Sequence, residues 1–342
     1  MDIQRALAII VDGSDLSRDQ SSEILRIIMT GEATDAQIGA FLSAMRVKGE
    51  TAEELAGAAS TMRGLSAKVE LPAIKHLVDT CGTGGSGSKL FNISTAAAFV
   101  ASAAGAAVAK HGNRKMTSFC GSADLLEAAG VKLDLSPNQI SKCIEEIGIG
   151  FMFAPAHHSA MRYAGPVRQE IGIRTMMNVL GPMTNPAGAK RQVIGVFSPD
   201  WQLRIAEVLQ ILGSEHAMVV HSAGLDEIRL DQPTQVVELK QKKITQYSID
   251  PSEFGIKMPQ AKELSRLSAN SVDESLALVR ESLTDPNSRA GEIVALNAGA
   301  AIYVSGIAGD LSTAVSSAQD MIGSGKANMK LTDLINLTSS LG

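Results

Sequence analysis

Leu77-Val-Asp-Thr-Cys81-Gly-Thr-Gly-Gly-Ser-Gly-Ser88 opens the stretch whose reading decides the fold. Asn92-Ile-Ser-Thr95, the alanine-rich run Ala96–Ala104, the pair Ala107-Val108 and Lys110-His-Gly-Asn-Arg114 complete it. A short apolar strand ends near Asp79, a glycine loop follows, and a helix leads to a second apolar strand. That order is a strand–helix–strand unit, which makes parallel strands and gathers loops at their carboxyl ends, where α/β sheets hold ligands.

From Thr80 to Ala123 there is no Asp or Glu, although the whole chain carries a formal charge of −5. Lys89, Lys110, Arg114 and Lys115, with a titratable His111, are the only charges there. Glycines turn backbone N–H groups inward, hydroxyls and amides donate, and cations neutralise. The stretch therefore reads as a pocket for a multiply phosphorylated small molecule. Gly82-Thr-Gly-Gly-Ser-Gly87 also fits G-x-G-x-x-G after a strand. A dinucleotide site, however, needs a helix opening at the third glycine and an acid about twenty residues on; Ser88-Lys89 continues the loop, and the first acid is Asp124. A plain flexible turn uses fewer glycines than the four found in six positions.

Ser94 or Thr95 is the natural N-cap of the alanine-rich helix, and a helix start offers N–H groups and a positive dipole end to a phosphate. Lys110 to Lys115 is expected in a loop beyond the second strand, with a solvated basic loop as the competing reading. Leu225-Asp226-Glu227-Ile228 follows a third apolar run, Met218-Val-Val220. Extended backbone would splay the two carboxylates, whereas a turn after Gly224 would converge them. They are either surface acids or oxygen ligands for the Mg²⁺ that accompanies a polyphosphate. Arg168 and Arg174 lie on an otherwise apolar segment, each a fork for a carboxylate or a structural partner of Glu170. His157-His158 has no metal-type spacing and reads as local hydrogen bonding.

Outward from this centre, the first 70 residues carry three capping boxes before amphipathic runs: Ser17-x-x-Gln20, Thr34-x-x-Gln37 and Thr51-x-x-Glu54, with Gly31, Gly49 and Gly64 as stops. A short helix near residues 2–10 precedes them. After Pro72, apolar runs at Phe151–Phe153, Val193–Phe197 and Met218–Val220 alternate with helical patterns at Ala123–Ala129, Asn138–Ile147 and Trp201–Leu212. The fold expected is α/β: a small all-helical N-terminal domain and a larger domain with a mainly parallel sheet. An antiparallel excursion is expected near Val236–Ile249, and helices from Val272 onward.

At 45% apolar and 20% charged, the composition is that of a soluble, cytoplasmic protein, and its acidity argues against nucleic acid or membrane as partner. The uncharged run Leu90–Ala109 is interrupted by Asn92, Ser94, Thr95 and Ser102, so a buried helix is expected there rather than a membrane span. The start is too quickly interrupted by Asp12 for a signal peptide. Cys81, Cys120 and Cys143 have no paired spacing, which predicts neither a disulfide framework nor a zinc site.

The set resembles the anthranilate phosphoribosyltransferase family of tryptophan biosynthesis. The carriers are Gly82-Thr-Gly-Gly85, Asn92–Thr95, Lys110–Arg114, Gly121-Ser-Ala-Asp-Leu-Leu126, Gly165-Pro-Val-Arg168, Arg174-Thr-Met-Met-Asn178, Leu180-Gly-Pro182, Asn185-Pro186 and Gly224–Glu227. The resemblance implies a nucleoside phosphorylase/phosphoribosyltransferase class III-like fold. Residues 1–71, with a returning segment near 172–190, would form the helical domain, and residues 72–171 and 191–342 the α/β domain. It also implies a homodimer through the helical domain, and a possible anthranilate synthase partner.

By the same resemblance, 5-phosphoribosyl-1-diphosphate would meet Gly82, Gly85, Ser86, Leu90, Asn92, Ile93, Ser94, Thr95, Lys110, His111, Gly112, Asn113, Arg114, Lys115, Met116, Thr117, Ser118 and Ser122. Anthranilate would meet Gly82, Asn113 and Arg168. Ser94 would hold one Mg²⁺, and Asp226 with Glu227 a second. No covalent nucleophile is implied, and His111 has at most a supporting role. The chain departs from the family pattern at Ser86, where Asp is usual, at Leu90, where Thr is usual, and at Cys120, where Ser is common. The competing functions are ribosyl transfer like that of pyrimidine nucleoside phosphorylases, and a non-catalytic nucleic-acid-binding relative.

Overall fold

The computed structural model describes residues 1–342 apart from Gly85, Ser86, Ser88, Met116, Thr117 and Ser118. The first four helices are α1 (Ile3–Val11), α2 (Arg18–Met29), α3 (Asp35–Lys48) and α4 (Ala52–Leu65). The last three open on the boxes read from the sequence: Ser17, Thr34 and Thr51 each accept from the backbone three residues on, and Gln20, Gln37 and Glu54 return the bond. Gly49 caps α3, but Gly64 lies inside the last turn of α4, which runs on to Leu65.

The alternating part follows: β1 (Leu77–Gly82), α5 (Ile93–Ala103), β2 (Ala107–Gly112), α6 (Ser122–Ala129), α7 (Pro137–Ile147) and β3 (Ile149–Phe153). Next come α8 (Ala154–His157), α9 (Met161–Ile171), α10 (Met177–Leu180), β4 (Arg191–Gly195), α11 (Asp200–Ile211) and β5 (His216–His221). The hairpin β6 (Thr234–Lys240) and β7 (Lys243–Ile249) precedes α12 (Ala261–Ser265), α13 (Val272–Ser282), α14 (Arg289–Ser305), α15 (Leu311–Gly323) and α16 (Lys326–Leu341). The run Leu90–Ala109 is therefore divided between a buried helix and a strand. No described helix is long and apolar enough to cross a membrane.

The strands form one sheet in the order β3-β2-β1-β4-β5-β6-β7. The first five are parallel; β6 and β7 are antiparallel, as the excursion near Val236–Ile249 predicts. Alternate residues of β4 and β5 serve two cores. Val193, Met218 and Val220 pack with α5 and α14, whereas Ile194, Ala217 and Val219 pack with α1–α4 and with Ala164, Val167, Met176 and Leu180. The period of two in a strand thus sends one face to each lobe. Carboxyl ends of β1, β2, β4 and β5 meet at one edge, which carries the glycine loop and the acid pair.

Candidate functional site

The floor of the site is the start of α5. Its N-cap is Asn92 and not Ser94 or Thr95, which occupy the first turn. Asn92 makes no side-chain cap; its Nδ2 donates to the Cys120 oxygen at 3.2 Å and its Oδ1 accepts from Ser275 Oγ at 2.8 Å. That amide joins α5 to α13 and the 120 loop. Ile93 and Thr95 are buried; the Thr95 hydroxyl has no partner among the described residues. The backbone N–H and hydroxyl of Ser94 instead face Glu227.

The acid pair sits on a turn. Ala223 and Gly224 both take positive φ, and Ser222 bridges to Leu225, so the chain doubles back and both carboxylates converge. Asn297 of α14 clasps the turn from behind: its Oδ1 accepts from Ile228 N at 2.9 Å and its Nδ2 donates to Ile228 O at 3.0 Å. Thr80, Gly82, Ser94, Asp226, Glu227 and Asn297 line a cavity of about 10 Å³, room for a single water or ion. Burial, and then the neighbouring Asp226, push the Glu227 carboxyl up to about 8. Two carboxylates and a hydroxyl around an ion-sized space are a hard-oxygen donor set short of positive charge, which fits Mg²⁺.

Two glycines bring the loop against this turn. A Cβ on Gly195 would stand 1.7 Å from the Asp226 oxygen, and one on Gly82 would stand 3.0 Å from Asp226 Oδ2. Gly195 O also accepts from Thr83 N at 2.8 Å. Gly84 and Gly87 hold positive φ, as a loop presenting N–H groups requires. Beside it lies a second cavity of about 400 Å³, lined among others by Gly87, Lys89, Leu90, Gly224 and Leu225. Leu90 pairs with Ser268. Gly85 and Ser86 lie outside the described residues, as do Met116, Thr117 and Ser118.

Lys110 and His111 belong to β2 and are buried, not in a loop beyond it. Lys110 Nζ donates to Thr80 O at 2.6 Å. Burial lowers its pKa; Asp79 and Glu227 oppose that. Burial pushes His111 down to about 3, so it is a neutral imidazole, and both ring nitrogens lack a partner among the described residues. It stacks at an angle on His158, and His157 Nδ1 meets Ala67 O at 2.8 Å.

The basic loop leaves β2 past Gly112, where a Cβ would collide with Ser122 Oγ. Ser122 donates to Asn113 O at 3.4 Å, and Asn113 Oδ1 accepts from Arg114 N. Arg114 is paired with Asp124 and Glu127. Asp124 also accepts from Lys115 N and Gly121 N, so the first acid after the acid-free stretch anchors the loop.

Asp79 is another residue missed by the sequence reading, although a lone acid in an apolar strand is a visible signal. It is fully buried and accepts from Asn185 Nδ2 and His111 N; burial raises its carboxyl to about 6. Arg168 lies on α9, the helix packed on α2 and α3. It is half-buried, has no ion pair or hydrogen bond among the described residues, and burial lowers its pKa. Arg174 stacks on Phe197 at 4.2 Å.

Residues 74–328 match the model described as the glycosyl transferase family a/b domain, and residues 4–66 its helical bundle domain. The chain is similar to the anthranilate phosphoribosyltransferase of Cellvibrio japonicus, at 54% identity over all of both chains. It matches that of Marinomonas at 54% identity, covering 99% of this chain and 97% of the relative. Among solved structures, the Thermus thermophilus enzyme of that name superposes with a TM-score of 0.92 at 40% identity, covering 98% of this chain and 99% of that one. The Saccharomyces cerevisiae enzyme in complex with PRPP and Mg superposes at 0.89 with 25% identity, covering 99% and 98%.

Proposed function

This chain belongs to the anthranilate phosphoribosyltransferase family, and we propose that it transfers the 5-phosphoribosyl group of 5-phosphoribosyl-1-diphosphate to the amine of anthranilate, releasing diphosphate, in tryptophan biosynthesis. The observation that carries the reading is the convergence of Ser94, Asp226 and Glu227 on one ion-sized cavity beside Gly82.

Anthranilate's amine is neutral near pH 7, so attack needs no strong base. The barrier lies in parting an anionic diphosphate from a cationic ribosyl centre. Mg²⁺, when bound, supplies charge neutralisation on the diphosphate oxygens. The shared cavity would take one ion between Ser94, Asp226 and Glu227; the resemblance implies a second, with Ser94 on one ion and the acid pair on the other. Loop N–H groups and the α5 N-terminus complement the leaving group, each donor worth roughly 3 kcal/mol in the transition state. The half-buried fork of Arg168, without an ion pair among the described residues, suits the anthranilate carboxylate, and Asn113 and Gly82 would complete that site. Neutral His111 can donate one hydrogen bond and accept another but carries no charge.

The division into residues 1–71 plus a returning segment, against residues 72–171 and 191–342, is supported by the two cores. Ala164 and Val167 pack with the helical core, so the returning part would begin with α9. A homodimer through the helical domain, a cytoplasmic location and an anthranilate synthase partner complete the proposal. Neither the nucleoside phosphorylase reading nor the nucleic-acid reading gains support from the relatives named above.

The test is a mixture of the chain with anthranilate, phosphoribosyl diphosphate and Mg²⁺. Anthranilate fluorescence should decay only when all three are present. Persistent fluorescence with an intact, folded chain overturns the reading.

A further inference from the structure

On β4 and β5 the sheet face turned to the helical lobe carries Ile194, Ala217 and Val219, whereas on β1 and β2 the same face carries Asp79, Cys81 and His111. Register accounts for the cluster there. Leu77 pairs with Ala107 and Val78 with Val108, so continuing the ladder sets Cys81 opposite His111, with Asp79 two residues earlier on the same face. A carboxylate oxygen of Asp79, the sulfur of Cys81 and a ring nitrogen of His111 lie within 4.8 Å of one another. Chain spacing hid this set, because two of the donors come from one strand and the third from its neighbour.

His111 is only 4% exposed, and neither of its ring nitrogens has a partner among the described residues. The Asp79 oxygens accept from His111 N and from Asn185 Nδ2, and a carboxylate has about four lone-pair positions in all. Those two bonds fix the carboxylate as outer-shell partners fix a metal ligand. Lys110, the nearest cation, points through the opposite face to Thr80, and His158 faces the cluster as a ring pushed down to about 4 by burial.

We propose that Asp79, Cys81 and His111 bind a thiophilic divalent cation of the Zn²⁺ class, with three protein donors and one coordination position open. Sulfur, nitrogen and carboxylate oxygen together suit a borderline-soft ion and not Mg²⁺, whose donors here are Ser94, Asp226 and Glu227. Drawing the three donor atoms to zinc distances closes their spacing by roughly an ångström, within the reach of side-chain torsions. Loading exchanges the Cys81 thiol proton for the metal and releases that proton to solvent. The inference does not depend on the transferase reading.

The test is a Co²⁺ titration of the reduced full-length chain with Mg²⁺ in excess to fill oxygen-only sites. A thiolate-to-cobalt charge-transfer band should grow to one equivalent and vanish on adding Zn²⁺. Cys81→Ser should abolish it, Cys143→Ser should keep it, and His111→Ala should weaken Zn²⁺ binding at least about tenfold. If Cys81→Ser fails to fold, zinc-edge X-ray absorption on the unaltered chain serves instead, with one sulfur expected at about 2.3 Å. No charge-transfer band, a band that survives Cys81→Ser, or a zinc shell of nitrogen and oxygen alone overturns the proposal.

Discussion

Lys110 Nζ donates to the main-chain oxygen of Thr80 at 2.6 Å, which pins the ammonium inside the sheet, under the acid pair and not in the loop above it. Lys110→Met removes that bond and the positive charge felt by Glu227. Stability should fall by about 1–3 kcal/mol, the cost of an unpaired buried carbonyl, in urea unfolding. Mg²⁺ dependence should move to lower concentration, because the carboxylates lose a competing cation. An unchanged unfolding midpoint would show that Lys110 reaches outward in solution.

Asp226→Asn with Glu227→Gln removes the charge of both carboxylates in the ion-sized cavity. The Mg²⁺ titration of turnover should shift to much higher concentration, and kcat should fall by roughly 100-fold or more. An identical metal titration would reject these ligands.

Arg168 presents a half-buried fork with no partner among the described residues. Arg168→Ala should raise the KM for anthranilate about tenfold or more, while the KM for the phosphoribosyl donor stays near its starting value. Arg168→Lys should not restore it, since a point charge does not match a planar carboxylate. Equal effects on both substrates would remove Arg168 from the acceptor side.

What the sequence made legible was local chemistry. The three capping boxes, the β1–α5–β2 unit and the turn at Gly224 each depend on residues within a few positions of one another, and all three are found. Partners far along the chain were invisible. Asn92 gives its side chain to Ser275 and Cys120, and Asn297 reaches back to Ile228, so neither role shows in spacing. Lys110 and His111 read as a loop because a charged pair rarely continues a buried strand. The strand continues here because Thr80 O takes the ammonium and burial keeps the imidazole neutral.

Asp124 gives the basic loop an acid limit. Burial would raise its pKa, but the N–H groups of Gly121 and Lys115 and the Arg114 guanidinium outweigh it and hold the carboxyl below its usual 3.8. A carboxyl lowered on folding contributes stability that is complete above the unfolded value and lost as pH falls through the folded one. Thermal stability of the chain should therefore drop further below about pH 4 than that of Asp124→Asn, whose curve should be flatter in that range. At neutral pH, Asp124→Asn should cost about 1–2 kcal/mol. Parallel acid limbs for the two proteins would exclude this anchor.

Gly195 stands between the glycine loop and the acid turn, and the two contacts it makes differ in how far they can give. Its oxygen receives Thr83 N at 2.8 Å, while its missing side chain leaves room for the Asp226 main-chain oxygen, 1.7 Å from where a Cβ would stand. A backbone atom there cannot rotate away, so Gly195→Ala must push the whole turn and carry both carboxylates with it. Gly82→Ala meets only Asp226 Oδ2, at 3.0 Å, the end of a side chain that can turn. Gly195→Ala should therefore cost about 1–3 kcal/mol of stability and most of the Mg²⁺-dependent turnover. Gly82→Ala should shift the Mg²⁺ titration modestly and leave unfolding almost unchanged. Equal metal titrations for the two variants would mean that the turn yields as readily as a carboxylate, and that Gly195 does not set the position of the acid pair.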